Sequence, residues 1–227
     1  MPSIDLARLV RPSAEPVPAE PDPVVRRRRV VVVGTLVVGT ALLAATLAVP
    51  SGSDAFTALG LAVAATWVTG AALSGPLHLG RRGGTAAGGR EVAGPVVLGA
   101  LAYLVFLGAS LVAREIPGLA GALESILGKA DAGPLVVVLL VAVVNGVAEE
   151  VFFRGALHSA FGARNAAVRS TLVYVLVTVS TLNVVFVAVA AVMGTLFALE
   201  CQAIRGVLAP VVTHVTWSTL MLLAFFC

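Results

Sequence analysis

Residues 134–155 read PLVVVLLVAVVNGVAEEVFFRG, an uncharged run from Pro134 to Ala148 that meets two adjacent glutamates and, four residues beyond the second, an arginine. The helical spacing of apolar residues continues through Val151, Phe152, Phe153 and Leu157, so one helix is predicted from Pro134 to about Ala160, with Gly162 ending it. Such a helix is long enough to cross the ~30 Å hydrocarbon core of a bilayer at ~1.5 Å per residue. Ionisable groups inside it cost several kcal/mol unless they are satisfied, which makes Asn145, Glu149, Glu150 and Arg154 candidates for function.

Working outward, the rest of the chain has the same character. Of its 227 residues, 59% are hydrophobic and only 12% charged, a balance that in water would leave apolar surface exposed and aggregating. Further apolar stretches fall at 30–49, 55–73, 95–113, 168–182, 184–199 and 207–226, with a tight turn at Asn183. The predicted fold class is therefore all-α, a polytopic membrane helix bundle of about seven transmembrane helices. Residues 1–25, rich in proline and acidic side chains, are predicted to be a disordered tail, and residues 26–227 a single membrane domain. Between 114 and 133, Leu119, Leu123, Ile126 and Leu127 predict a short interfacial helix. Cys201 and Cys227 fall near opposite faces of the bilayer, which argues against a disulfide.

If every span crosses once from a cytoplasmic N-terminus, only Arg114 and Lys129 of the 15 basic residues lie outside, leaving 13 inside. That bias fits the positive-inside rule and places the C-terminus outward, in a multi-pass protein of the plasma membrane. Basic residues scattered between apolar runs suit topology control rather than nucleic-acid binding, so the bilayer, not a nucleic acid, is the expected partner.

Within this frame the chemistry concentrates on the 134–160 helix. Asn145 and Glu149, four apart, share a face, and Glu150 can pair with Arg154 at the same spacing. Glu149 has no such partner and can point into the bundle as a candidate base. The bland alternative is a helix terminus lying in the headgroup region. His158, nine residues beyond Glu149, reads as an ordinary interfacial side chain.

Glu149, Glu150 and Arg154, followed by Gly155, form an E-E-x-x-x-R motif that resembles the first motif of the CAAX-protease and bacteriocin-processing (CPBP, or Abi) intramembrane proteases. The family's closing motif, a histidine followed four residues later by a polar group, is matched by His214 and Ser218 in PVVTHVTWS, and a glycine-bearing helix by Gly194 between Ala190 and Ala198. The resemblance covers residues 134–223. The family's second motif is an aromatic residue with histidine four positions on; here Tyr174 is followed by Thr178. At ~1.5 Å per residue, Glu149, Thr178 and His214 all fall about 10 to 16 Å below the cytosolic surface.

The resemblance implies an intramembrane endopeptidase acting on membrane-anchored or lipidated peptides. Glu149 would activate water, Asn145 or Thr178 orient it, and Glu150 with Arg154 brace the helix. His214 and Ser218 would stabilise the oxyanion. Loss of an acid–base partner such as the absent histidine costs about 10² to 10⁴ in rate, so a pseudoprotease with a binding or immunity role is the alternative, and an ion or proton relay a third reading. No cofactor is expected: a catalytic zinc usually takes three protein ligands, and this layer offers one histidine with one or two carboxylates.

Overall fold

The structure is a computed structural model that describes residues 21–50, 52–77, 89–130, 133–162, 165–204 and 206–226, and every regular element among them is helical. In chain order these are α1 (Asp22–Ala48), α2 (Asp54–Ser74), α3 (Gly89–Arg114), α4 (Pro117–Ala130), α5 (Leu135–Ala160), α6 (Ala166–Val179), α7 (Val184–Ile204) and α8 (Leu208–Phe226). Six of them, all but α4 and α6, are long and apolar enough to cross a bilayer. Helix α6 is apolar but has 14 residues, or about 21 Å of rise, making it the shortest of the seven predicted spans.

Large apolar side chains such as Val30, Val33, Val37, Leu104, Val105, Val136 and Leu140 point outward from the bundle. Lipid tails satisfy that surface and water does not, while the backbone of each span is hydrogen-bonded within its own helix. The chain is a multi-pass membrane protein.

Helix α5 is the inner post. It packs against α2 on one side and α8 on the other, and its lower part also touches α1, α6 and α7. The other strong pairings, α1 with α2, α3 with α8 and α6 with α7, surround it. Small residues allow the closest approaches: Gly39 of α1 lies against the Trp67 ring, and Gly70 of α2 against Thr35. In lipid, where apolar surface gains little by leaving the solvent, such close van der Waals packing is a main source of helix association. Trp67, only 1% exposed, stacks at 4.8 Å on Phe152 and 5.1 Å on Phe153.

Several sequence expectations are adjusted. Helix α1 starts at Asp22, inside the stretch predicted to be an irregular tail, with a proline in its first turn where a missing N–H does no harm. The rest of that tail, 1–20, lies outside the described residues, as do Arg81, Arg82, Arg164, Arg205 and Cys227. Two arginines expected only to set topology also close helix ends. Arg28 is fully buried and donates to Ser74 Oγ (3.3 Å) and the Pro76 carbonyl (3.0 Å) after α2, and Arg29 Nε donates to the Ala160 carbonyl (3.3 Å) at the end of α5. A guanidinium there meets carbonyls that lack intrahelical partners.

The tight turn predicted at Asn183 is present. Asn183 Oδ1 accepts the amides of Val185 and Phe186 at the start of α7, and its Nδ2 donates to the Ala122 carbonyl of α4. Because this cap occupies the turn, α6 stops at Val179 rather than 182. Helix α7 runs on to Ile204 instead of ending at 199, which brings Glu200 into the helix.

The most consequential local feature is at Val151–Leu157, where α5 switches to a π-helical turn. All six residues from Phe152 to Leu157 are buried. An α-helix in this position would present a one-sided stripe. The wider π turn, of a kind often found at functional sites, keeps Phe152 and Phe153 against Trp67 of α2 and turns Arg154 towards Tyr174 of α6 and Phe197 of α7, just below the glutamate pair.

Candidate active site

Glu149 and Glu150 leave α5 in different directions, as adjacent helical residues must. Glu150 is fully buried and stands between a guanidinium and an imidazole: its Oε2 is 3.2 Å from Arg154 Nε, and its Oε1 is 3.0 Å from His214 Nδ1. The arginine contact is an ion pair without hydrogen-bond alignment, since neither Nε nor Oε2 has a sound hydrogen-bond geometry. Arg154 is 2% exposed and is held mostly by rings, its guanidinium lying 5.1 Å from the Tyr174 centroid and 5.8 Å from that of Phe197.

Glu149 is half-buried and turns towards α6, where the Tyr174 hydroxyl donates to its Oε2 at 2.9 Å. Glu149 and His214 are close enough to interact electrostatically, and both also sense Glu150 and Arg154. A carboxylate on α5 and an imidazole on α8 therefore share one interior layer.

The position of His214 depends on two neighbours that carry no ionisable group. On one side the ring stacks nearly parallel on Phe197 of α7, at 4.8 Å and 14°. On the other it lies over Gly146, where a Cβ would come within 3.4 Å of Cδ2 and 3.5 Å of Nε2. Nδ1 is engaged by Glu150, so Nε2 is the nitrogen left for chemistry. A carboxylate behind an imidazole fixes its orientation.

Gly194 supports Glu149 in the same indirect way. A Cβ there would sit 3.0 Å from Tyr174 Cδ1 and 3.5 Å from Thr171 Cγ2, and the Gly194 carbonyl accepts the Thr171 hydroxyl at 3.1 Å. The absent side chain lets α6 approach α7 until the Tyr174 ring reaches both Arg154 and Glu149. With Ala190 and Ala198, also buried, it forms the expected small-residue ridge.

The remaining proposed site residues direct their polar atoms elsewhere. Asn145 Nδ2 donates to the carbonyls of Gly60 (3.1 Å) and Val141 (2.9 Å), tying α5 to α2. Thr178 Oγ1 donates to the Tyr174 carbonyl one turn back (2.9 Å), and Ser218 Oγ makes a long contact to the Val215 carbonyl (3.4 Å). Both hydroxyls thus serve their own helices. His158 lies past the π turn, with a buried Nδ1 that has no hydrogen-bond partner.

The arrangement is a half-buried and a fully buried carboxylate, a guanidinium and an imidazole gathered from one helix and its neighbours. Residues 131–220 match the family model described as type II CAAX prenyl endopeptidase, Rce1-like. No curated protein and no solved structure matches the chain. The match bears out the resemblance read from the E-E-x-x-x-R and His214 motifs, and it spans the region from just before α5 into α8. The glutamate pair, Arg154, Tyr174 and His214 all lie inside this segment, whereas α1 to α4 precede it.

The donor set does not suit a resident zinc. Among the described residues no three His, Cys, Asp or Glu side chains are grouped to hold a metal ion. Both oxygens of Glu150 are already engaged, Oε2 by Arg154 and Oε1 by His214, and that imidazole uses Nδ1 on Glu150.

Tyr174, Phe197, Gly146, Thr213 and Glu200 were not singled out from the sequence as parts of the site. Tyr174 is the aromatic residue of the second motif, so its signal was present, but only as a marker for the position of a histidine. Gly146 and Phe197 give no sign of their role without the position of α8. Glu200 fell one residue past the predicted end of its span.

Proposed function

We propose that the protein is an intramembrane endopeptidase in which Glu149 activates water against a peptide bond of a membrane-anchored or lipidated substrate. The observation that carries this reading is the shared layer of Glu149 and His214, one carboxylate held from behind by Tyr174 and one imidazole held from behind by Glu150. With Oε2 anchored, Glu149 Oε1 takes the proton of the attacking water as general base. His214, charged through its contact with Glu150, donates from Nε2 to the developing oxyanion and afterwards supplies a proton to the leaving amine. A donor of this kind contributes roughly 10²- to 10³-fold. Arg154 balances Glu150 so that the histidine can keep its proton without a surplus of buried charge. The reaction runs without a resident metal. The 13-to-2 distribution of basic residues supports a cytoplasmic N-terminus and an outward C-terminus, with the site nearer the cytosolic face.

One observation favours a second reading, a catalytically impaired relative that holds substrates or partners. Thr178 turns its hydroxyl to its own backbone, so nothing at that position replaces the second-motif histidine beside Glu149.

A cleavage assay in liposomes with a panel of lipidated peptides distinguishes the two. Hydrolysis by the native protein that falls at least 10²-fold in Glu149→Gln and in His214→Ala supports the endopeptidase. Equal cleavage by all three removes the assigned roles, and stoichiometric peptide binding without turnover supports the second reading.

A further inference from the structure

Glu200 is a third carboxyl group next to the site, on the face of α7 that carries Phe197 one turn earlier, and no step above uses it. Its Oε1 lies 2.7 Å from the hydroxyl of Thr213, the residue before His214. The same hydroxyl lies 3.2 Å from the carbonyl oxygen of Pro95 on α3. Thr213 is completely buried. A threonine hydroxyl has one hydrogen and so can donate to only one of these two oxygens. If Glu200 were ionised, the single hydroxyl hydrogen would be drawn to it, and the contact between Thr213 Oγ1 and the Pro95 carbonyl oxygen would hold no hydrogen. Its second oxygen, Oε2, is also buried and has no hydrogen-bond partner. For an anion that is a heavy cost, and for the carbonyl oxygen of a neutral acid a modest one.

Charge balance points the same way. The groups around the site are Glu149, Glu150 and Arg154 on α5, Tyr174 on α6, Cys201 on α7 and His214 on α8. Arg154 and His214 both face Glu150, and Glu149 is bonded by the neutral Tyr174 hydroxyl. Among the described residues no cation forms an ion pair with Glu200, so a third negative charge would have no counterpart among them.

We infer that Glu200 is a neutral carboxylic acid whose proton is donated to Thr213 Oγ1, with Thr213 in turn donating to the Pro95 carbonyl, so that a three-helix chain from α7 through α8 to α3 fixes the register of α8 beside His214. Glu200 is then a positioning residue. Every donor and acceptor in the chain is used once, except Oε2. The effect on turnover rests on the endopeptidase reading, and the protonation state does not.

The test uses infrared difference spectra of the full-length protein in lipid, native minus Glu200→Gln, in H₂O and in D₂O. The expected result is loss of a protonated-carboxyl C=O band that shifts on deuteration and moves to higher frequency in Thr213→Val. Loss of ionised-carboxylate bands in the Gln variant, or a C=O band that Thr213→Val leaves in place, overturns the inference. In the cleavage assay, Glu200→Ala is expected to lower kcat roughly 3- to 10-fold with little change in KM, the loss of one buried neutral hydrogen bond, and Glu200→Gln, which keeps a donor, to recover at least half of that loss on a logarithmic scale. A Gln variant as impaired as the Ala variant would also count against it. If no peptide is cleaved by any form, the endopeptidase reading fails and the infrared result still decides the protonation state.

Discussion

Replacing Glu150 by leucine isolates the electrostatics of the site from its packing. The carboxylate is fully buried between Arg154 and His214, and Arg154 is 2% exposed with none of Nε, Nη1 and Nη2 hydrogen-bonded. Removing one partner of a buried ion pair typically costs 3–5 kcal/mol, because the other is left charged in a low-dielectric interior. Here the pair is a charge contact at 3.2 Å without hydrogen-bond alignment, and rings on both sides already stabilise the guanidinium, so the lower end, about 3 kcal/mol, is expected. His214 adds little to the cost because it can release its proton. For a chain of this size about 3 kcal/mol lowers Tm by roughly 6–12 °C.

Thermal unfolding in detergent, followed by the fluorescence of Trp67 in the core and Trp217 beside His214, reads the effect directly. The paired change Glu150→Leu with Arg154→Met removes both charges at similar volume and should restore most of the lost stability while leaving the protein inactive, since His214 no longer has a carboxylate behind it. A coupling energy near zero in the double-mutant cycle, or a Glu150→Leu protein as stable as the native one, would show that the buried pair does not organise this interior.

Tyr174→Phe removes the hydroxyl that holds Glu149 and keeps the ring against Phe153 and Arg154; a charge-assisted bond of about 1.5–3 kcal/mol predicts a roughly 10- to 150-fold loss of peptide cleavage and a Tm lowered by roughly 3–12 °C. Gly194→Leu drives a side chain into the Tyr174 ring, so cleavage should fall at least as far and Tm should drop as well; normal activity would mean that the approach of α6 to α7 does not set Glu149. Thr178→His supplies the second-motif residue one turn beyond Tyr174 and should raise turnover at least tenfold in the same assay, whereas no change would mark a repurposed site.

Much of this protein was legible in its sequence because a bilayer imposes a simple length rule. Uninterrupted apolar stretches near 20 residues must be helices, so each predicted span overlaps an observed helix; the largest departures are that α1 starts at Asp22 rather than 30 and α3 at Gly89 rather than 95, while α6 stops at Val179 rather than 182 before the Asn183 cap. The E-E-x-x-x-R spacing likewise announced the chemistry, because charged residues four apart on a membrane helix have few other reasons to exist. What the chain could not reveal alone was which neighbour each carboxylate would meet. His214 pairs with Glu150 and Tyr174 with Glu149, and that division follows from helix rotation, a π turn at Val151–Leu157 and two glycines that let rings from α6 and α8 come close. Spacing within a helix is a local property written in residue order. The partner across a helix interface depends on the relative rotation and depth of two helices, and those are fixed only when the whole bundle packs.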